Sequence, residues 1–500
     1  MDIKTAISKL NEADDKLHAI EHALALIQWD AATGAPKNSV EGRAKTLSIL
    51  TGEYYKTLVN DELNELLSLL EDNKNELEYV TLRKAEEFRN EYDKIAKIPV
   101  EIVTEYTEVQ AKASAAWEDA KIKSDFSIFA PHLEKVIEFS KKFIEYRGYT
   151  KHPYNTLLDD YEKGLTTDDL DEFFSELKNS IVPLVARIKE SKVTINDDFI
   201  KKTYPTKEQE ALNKKLLKSL GFNMDSGMMA VSQHPFTTNF NRDDVRITTH
   251  YFETNLLPAL FSTLHEGGHA IYEQNIGEEL NFTSLGTGTS MGIHESQSRF
   301  FENIVGRSHS YIEYLYPIIK EAFPKHFKDV TSEDLYEAAN KSELSLVRTD
   351  ADELTYSLHI MIRYEIEKLL FENKILVSDL PEIWNKKYEE YMGLTPQNDA
   401  EGILQDVHWS EGLFGYFPSY ALGNAYASQF ANKMKETIDF EKDLKQGNLE
   451  NIREWLKENV HKYGKLLTPS EIIEKATGEP LNAKYFIDYL EDKYSKIYDL

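Results

Sequence analysis

The chain contains no cysteine. Disulfides are excluded, and any metal ion it holds must be gripped by histidine and carboxylate side chains. Long apolar runs are missing too: nothing approaches the ~18 consecutive apolar residues that a membrane span needs. The first residues, MDIKTAISKLNEADDKLHAIEH, offer no unbroken apolar core of signal-peptide length. A cytoplasmic protein with no membrane partner is the expectation. Positive charge is in short supply. Against 86 Asp and Glu stand 58 Lys and Arg, a formal net charge of −28. That argues against nucleic acid as a partner, since nucleic acid rewards clustered cations. No proline-rich linker, low-complexity tract or internal repeat divides the 500 residues. One catalytic domain over residues 1–500 is expected, with a division into two lobes as the variant of that reading.

What is present is helical periodicity. Ile7, Leu10, Leu17, Ile20, Leu24 and Ile27 recur at spacings of three, four and seven, an apolar stripe along one helix face. Helix starts are marked as well. TPSE at 468–471 offers Thr468 as cap, Pro469 in the first turn and Glu471 three residues past the cap; TTDDL at 166–170 and TSEDL at 331–335 look similar. One segment departs from this pattern. FTTNF at 236–240 and VRITTHYF at 245–252 are rich in β-branched and aromatic residues and predict a hairpin or small sheet. The fold class is therefore mainly α with a little β.

Just downstream, STLHEGGHAIYE at 262–273 carries two adjacent glycines inside a helical pattern, each costing roughly 0.8–1.0 kcal/mol relative to alanine. On a helix, His265 and His269 lie one above the other and can share a cation. Glu266 stands beside them, placed to take a proton from an attacking water. This is the H-E-x-x-H pattern of zinc peptidases. Chance supplies only about 0.07 such matches in a chain of this composition. The alternative is a pair of ordinary helix histidines. The glycines favour the metal: side chains at 267 and 268 would crowd whatever approaches it, and glycine permits close backbone packing. A third ligand is needed. TSMGIHESQSRFFENIVG at 289–306 reads as a second helix with Ile293, Phe300, Phe301 and Ile304 on its buried face. His294 and Glu295 are the candidates, or else both are ordinary polar residues at a helix start.

HEGGHA at 265–270 with HESQS at 294–298 resembles the carboxypeptidase Taq family of metallocarboxypeptidases. HPF at 234–236, DVRIT at 244–248, VRTDAD at 347–352, GILQDVHW at 402–409 and GLFGYFPSYALGN at 412–424 match in order, and IQWDAATGAPKNSVEGRAKTL near the N-terminus matches more weakly. The resemblance covers nearly the whole chain. It implies a neurolysin-like helical fold with two lobes around a deep groove, a homodimer, and removal of single residues from free peptide C-termini, with broad preference and poor action at proline. It implies one zinc ion per chain, or cobalt, and manganese suits the same ligand types. It places the ligands at His265, His269 and Glu295 and the general base at Glu266.

A carboxypeptidase must also fix a free carboxylate, and the planar fork of arginine suits that task. Arg348 is the first candidate and Arg246 the second; the alternative for Arg348 is an ion pair with Asp350 or Asp352. VRIT reads as an edge strand that could pair with peptide main chain. His234 and His408 could donate hydrogen bonds to substrate or to the developing oxyanion, or simply pack. Tyr420 could supply an oxyanion donor or be a core tyrosine. The rival readings are an endopeptidase or oligopeptidase on the same scaffold, and a helical metal-binding protein without catalysis.

Overall fold

The computed structural model describes residues 1–500. It is mainly helical with one three-stranded sheet. The chain divides into two compact units, each assembled from three separate stretches. The first unit comprises Met1–Ala96, Asn196–Ala339 and Phe430–Pro480; the second comprises Lys97–Ile195, Asn340–Gln429 and Leu481–Leu500. No helix is long and apolar enough to cross a membrane.

The sequence cues for helix starts hold at each of the three sites. Thr166 and Thr468 close capping boxes with Asp169 and Glu471. Thr331 and Asp334 exchange the same reciprocal bonds. Each box satisfies backbone N–H groups that the helix cannot pair internally. The first helix, Ile3–Thr33, buries Leu10, Leu17 and Ile20 from the predicted stripe, while Leu24 and Ile27 are only half-buried.

The small sheet belongs to the first unit. β1 (Gly227–Val231) runs parallel to β3 (Asp244–Thr249), and β2 (Thr237–Asn241) runs antiparallel to it, in the order β1-β3-β2. The predicted hairpin is β2–β3. β1 was not anticipated, because GMMAV has only one β-branched residue. The edge-strand reading of VRIT is corrected: β3 is paired on both sides, and the edges are β1 and β2. Val245 and Ile247 of β3 are fully buried, which is what a central strand requires.

The helix of the H-E-x-x-H motif, Leu257–Gln274, packs against β2, β3 and the helix Thr206–Leu220. Its glycines explain the packing. A Cβ on Gly268 would stand 2.3 Å from the carbonyl oxygen of Gln297, and one on Gly267 would meet the Leu220 side chain at 2.6 Å. The expectation that these positions face the metal is thereby corrected. They face neighbouring helices, and the absence of side chains lets backbones approach closely. Gly268 in particular admits the helix Met291–Arg299, which carries Glu295.

Candidate active site

Ser290 caps the helix Met291–Arg299 through the N–H of Ile293, and a π-helical turn, Phe300–Gly306, continues it. Such turns recur at functional sites. Ile293, Phe300, Phe301 and Ile304 are buried, as the sequence predicted. This anchors the helix and turns Glu295 toward the motif histidines.

His265, His269 and Glu295 each offer a ligand atom, all within 4.8 Å of one another. Oε2 of Glu295 lies 3.6 Å from Nε2 of His265 and 3.5 Å from Nε2 of His269. Bonds of about 2.0–2.1 Å at tetrahedral angles place ligand atoms roughly 3.3–3.4 Å apart. The two carboxylate–imidazole separations are therefore close to those around a small divalent cation. Oε1 of Glu295 is held by Nε of Arg299 at 2.7 Å, and Oε2, which faces the histidines, also accepts from Ser298 Oγ at 3.0 Å. Burial opposes ionisation of Glu295, but Arg299 and His265 beside it hold its carboxyl well below the usual range. Of the two residues proposed as third ligand, it is Glu295 that joins the histidines. His294 turns instead to His269 and Glu273.

Glu266 is buried, and burial raises its pKa despite the opposing influence of His265 and Thr237. The hydroxyl of Thr237, on β2, donates to Oε2 of Glu266 at 2.6 Å. β2 thus sets the direction of that carboxylate. On the far side of the histidines, Nδ1 of His265 meets Oε2 of Glu302 at 2.9 Å, and Glu302 is flanked by Arg299 and Arg307. The sequence reading missed Glu302, Arg299, Thr237 and Glu273. Two left a signal. Glu273 continues the i, i+4 series His265–His269, and Glu302 follows Glu295 by seven residues. Thr237, separated in sequence, left none.

The remaining candidates are placed as follows. His234 is exposed in the bend between β1 and β2, its backbone carbonyl accepting from Ser232 Oγ. Arg246 closes its fork on Asp244, with Nε and Nη2 at 2.8 and 2.7 Å from the carboxylate, and its guanidinium lies over the rings of Phe240 and Trp29.

Arg348, His408 and Tyr420 belong to the second unit. Arg348 is buried, with Nε donating to Oδ1 of Asp406 at 2.9 Å and Nη1 to the hydroxyl of Tyr356 at 3.0 Å. The expected partners Asp350 and Asp352 are corrected: Asp352 accepts from the backbone N–H groups of Glu343, Leu354 and Thr355. Asp406 also receives Arg363, which is wholly buried. Burial opposes its charge, yet Arg363 and Arg348 hold its carboxyl well below the usual range. Nε2 of His408 lies 3.4 Å from the hydroxyl of Tyr420, and burial pushes His408 down to about 4, so the ring is neutral at pH 7. The guanidinium of Arg348 sits 5.1 Å from the centre of the Tyr420 ring. Arg348, Tyr420, Asp406 and His408 thus form one cluster.

The profile of the carboxypeptidase Taq (M32) metallopeptidases matches residues 9–494. The chain is 49% identical to carboxypeptidase 1 of Bacillus subtilis (strain 168), over 97% of each protein. It is 38% identical to thermostable carboxypeptidase 1 of Pyrococcus furiosus, over 96% of each. The crystal structure of the M32 carboxypeptidase from Deinococcus radiodurans R1 is similar with a TM-score of 0.96 and 34% identity, covering 99% of this chain and 100% of that one.

Proposed function

The chain belongs to the carboxypeptidase Taq (M32) family of metallopeptidases and is a metallocarboxypeptidase; on that footing we propose that it works with one zinc ion and trims peptides one residue at a time from a free C-terminus. Broad side-chain preference, with poor action at proline, belongs to the same reading, as do a cytoplasmic location and a homodimeric state. The observation that carries it is the convergence of His265, His269 and Glu295 beside the buried Glu266.

Those three side chains would hold the zinc, which when bound would supply a Lewis acid able to polarise a carbonyl and to make water more acidic. The protein's own groups do the rest. Glu266 takes a proton from the attacking water and delivers it to the leaving amine. Its raised pKa moves it toward the operating pH, where a general base works best. Thr237 holds the carboxylate in position by its hydroxyl.

Arg348 pairs with the terminal carboxylate of the peptide. Asp406 and Tyr356 fix its guanidinium in advance, so little freedom is lost on binding. Arg246, whose Nε and Nη2 are engaged by Asp244, is the second candidate. Neutral His408 and the Tyr420 hydroxyl are donors for substrate or for the developing oxyanion. His234 is assigned the same kind of contact.

A metal analysis joined to a mass-spectrometric time course tests the reading. Stoichiometric zinc and stepwise loss of single C-terminal residues are the expected results. Equal cleavage of a C-terminally amidated peptide would favour an endopeptidase, and full activity after chelation would remove the metal.

A further inference from the structure

His294 stands next to the third ligand and does not join it. Its Nδ1 lies 2.6 Å from Nδ1 of His269, and its Nε2 lies 2.7 Å from Oε1 of Glu273. Glu273 is 1% exposed and sits one helical turn beyond His269. Its other partners are all donors: Thr287 Oγ1 and Gly288 N on Oε1 at 3.0 Å, and Asn239 Nδ2 on Oε2 at 2.8 Å. A carboxylate so surrounded accepts from His294 as well, so the hydrogen of that ring is on Nε2. A neutral imidazole then presents only a lone pair at Nδ1, and this lone pair faces His269. With His294 uncharged, the hydrogen between the two Nδ1 atoms belongs to His269. That leaves the lone pair of His269 on Nε2, the nitrogen that faces Glu295. Gly288 completes the fit, since a Cβ there would stand 2.7 Å from Cδ2 of His294.

The two ligand histidines are thus supported in different ways. His265 leans directly on Glu302, whose charge is shared with Arg299 and Arg307. His269 reaches its carboxylate through an intervening ring, and the remaining partners of that carboxylate are neutral. We propose that His294, braced by Glu273, is a positioning residue that fixes the metal-binding tautomer and the ring orientation of His269. The proposal rests on the metal centre described above. Partners behind a ligand histidine set its orientation and basicity, and their loss typically weakens metal binding 10- to 100-fold.

The test uses the full chain, stripped of metal and reloaded with cobalt(II). Affinity is read by competition with a chelator, and ligand geometry by the visible absorption bands. His294→Ala should bind cobalt about 10- to 100-fold more weakly, with shifted bands, and added imidazole should restore both. His294→Asn keeps an acceptor near the Nδ1 position without reaching Glu273, and should fall between that variant and wild type. Glu273→Gln should shift the bands with both histidines in place. If His294→Ala does not fold, the other two variants carry the test. Wild-type affinity and unchanged bands in a folded variant overturn the proposal, even with a lowered thermal midpoint, because a purely structural role moves only the midpoint. Absence of cobalt binding by the wild-type protein, or retention of full affinity in His265→Ala, would instead strike the metal centre itself.

Discussion

The backbone of Gly268 lies so close to Gln297 that a methyl group on Gly268 would stand 2.3 Å from the Gln297 carbonyl oxygen. Backbone cannot swing aside as a side chain can, so Gly268→Ala must push the Met291–Arg299 helix away and take Glu295 with it. A cost of about 1–3 kcal/mol is expected, as for other overpacked sites, together with weaker metal binding. Gly267→Ala meets only the ends of two leucine side chains, Leu220 and Leu217, and should cost less, with metal affinity unchanged. Thermal midpoints and chelator competition on the two variants check this contrast.

Glu266→Gln removes the proposed base while keeping the bond from Thr237 within reach. Turnover should fall by about 10²–10⁴-fold, with metal content unaltered by elemental analysis. Turnover within twofold of wild type would exclude Glu266 as the base.

Arg348→Ala should lower kcat/KM on peptides with a free C-terminus by roughly 10- to 150-fold, the equivalent of about 1.5–3 kcal/mol for a hydrogen bond to a charged group. The same variant should lose any preference for the free acid over the amide of one peptide. Side-by-side rates on the acid and the amide are the measurement.

Asp406→Asn leaves the wholly buried guanidinium of Arg363 without its counter-charge. Breaking a buried pair from one side typically costs about 3–5 kcal/mol. A large fall in the thermal midpoint is expected, well beyond that of Arg348→Ala, since Arg348 is the less deeply buried partner.

Glu367 gives a pH signature. Burial pushes it up to about 7, although Tyr154, Gly415 and Trp409 all donate to it. An unfolded glutamate titrates near 4.3. Between these values the folded chain holds the proton more firmly than the unfolded chain, so stability is fullest at low pH and declines as pH rises through about 7. The decline amounts to roughly 4 kcal/mol from this group over the whole window. Glu367→Gln should remove that part of the slope, visible as a smaller difference between thermal midpoints measured at pH 5 and pH 8.

Much of the candidate metal site was legible in the sequence because its parts are local. His265 and His269 need only a helix to meet, and Glu295 needs only the next one. The capping boxes at Thr166, Thr331 and Thr468 were legible for the same reason. What lay hidden was long-range. Arg348 finds Asp406, 58 residues downstream, rather than the aspartates two and four positions away. The glycine pair gave a correct signal of close approach, but not which surface approaches. VRIT has the composition of any strand, and composition does not tell an edge from a centre. The division into two units could not be read from a linker, because the units are interleaved and no single linker separates them.

That interleaving has a consequence for the protein as it is made. The chain passes between the units five times, and the first unit lacks a stretch until residue 480 has emerged. At about 5–20 residues per second of synthesis, the first unit is completed only tens of seconds or longer after its first helices emerge, although Ala6, Leu10, Leu66 and Phe88 of those helices already share a core among themselves. For the same reason, neither unit can be cut out as one contiguous fragment.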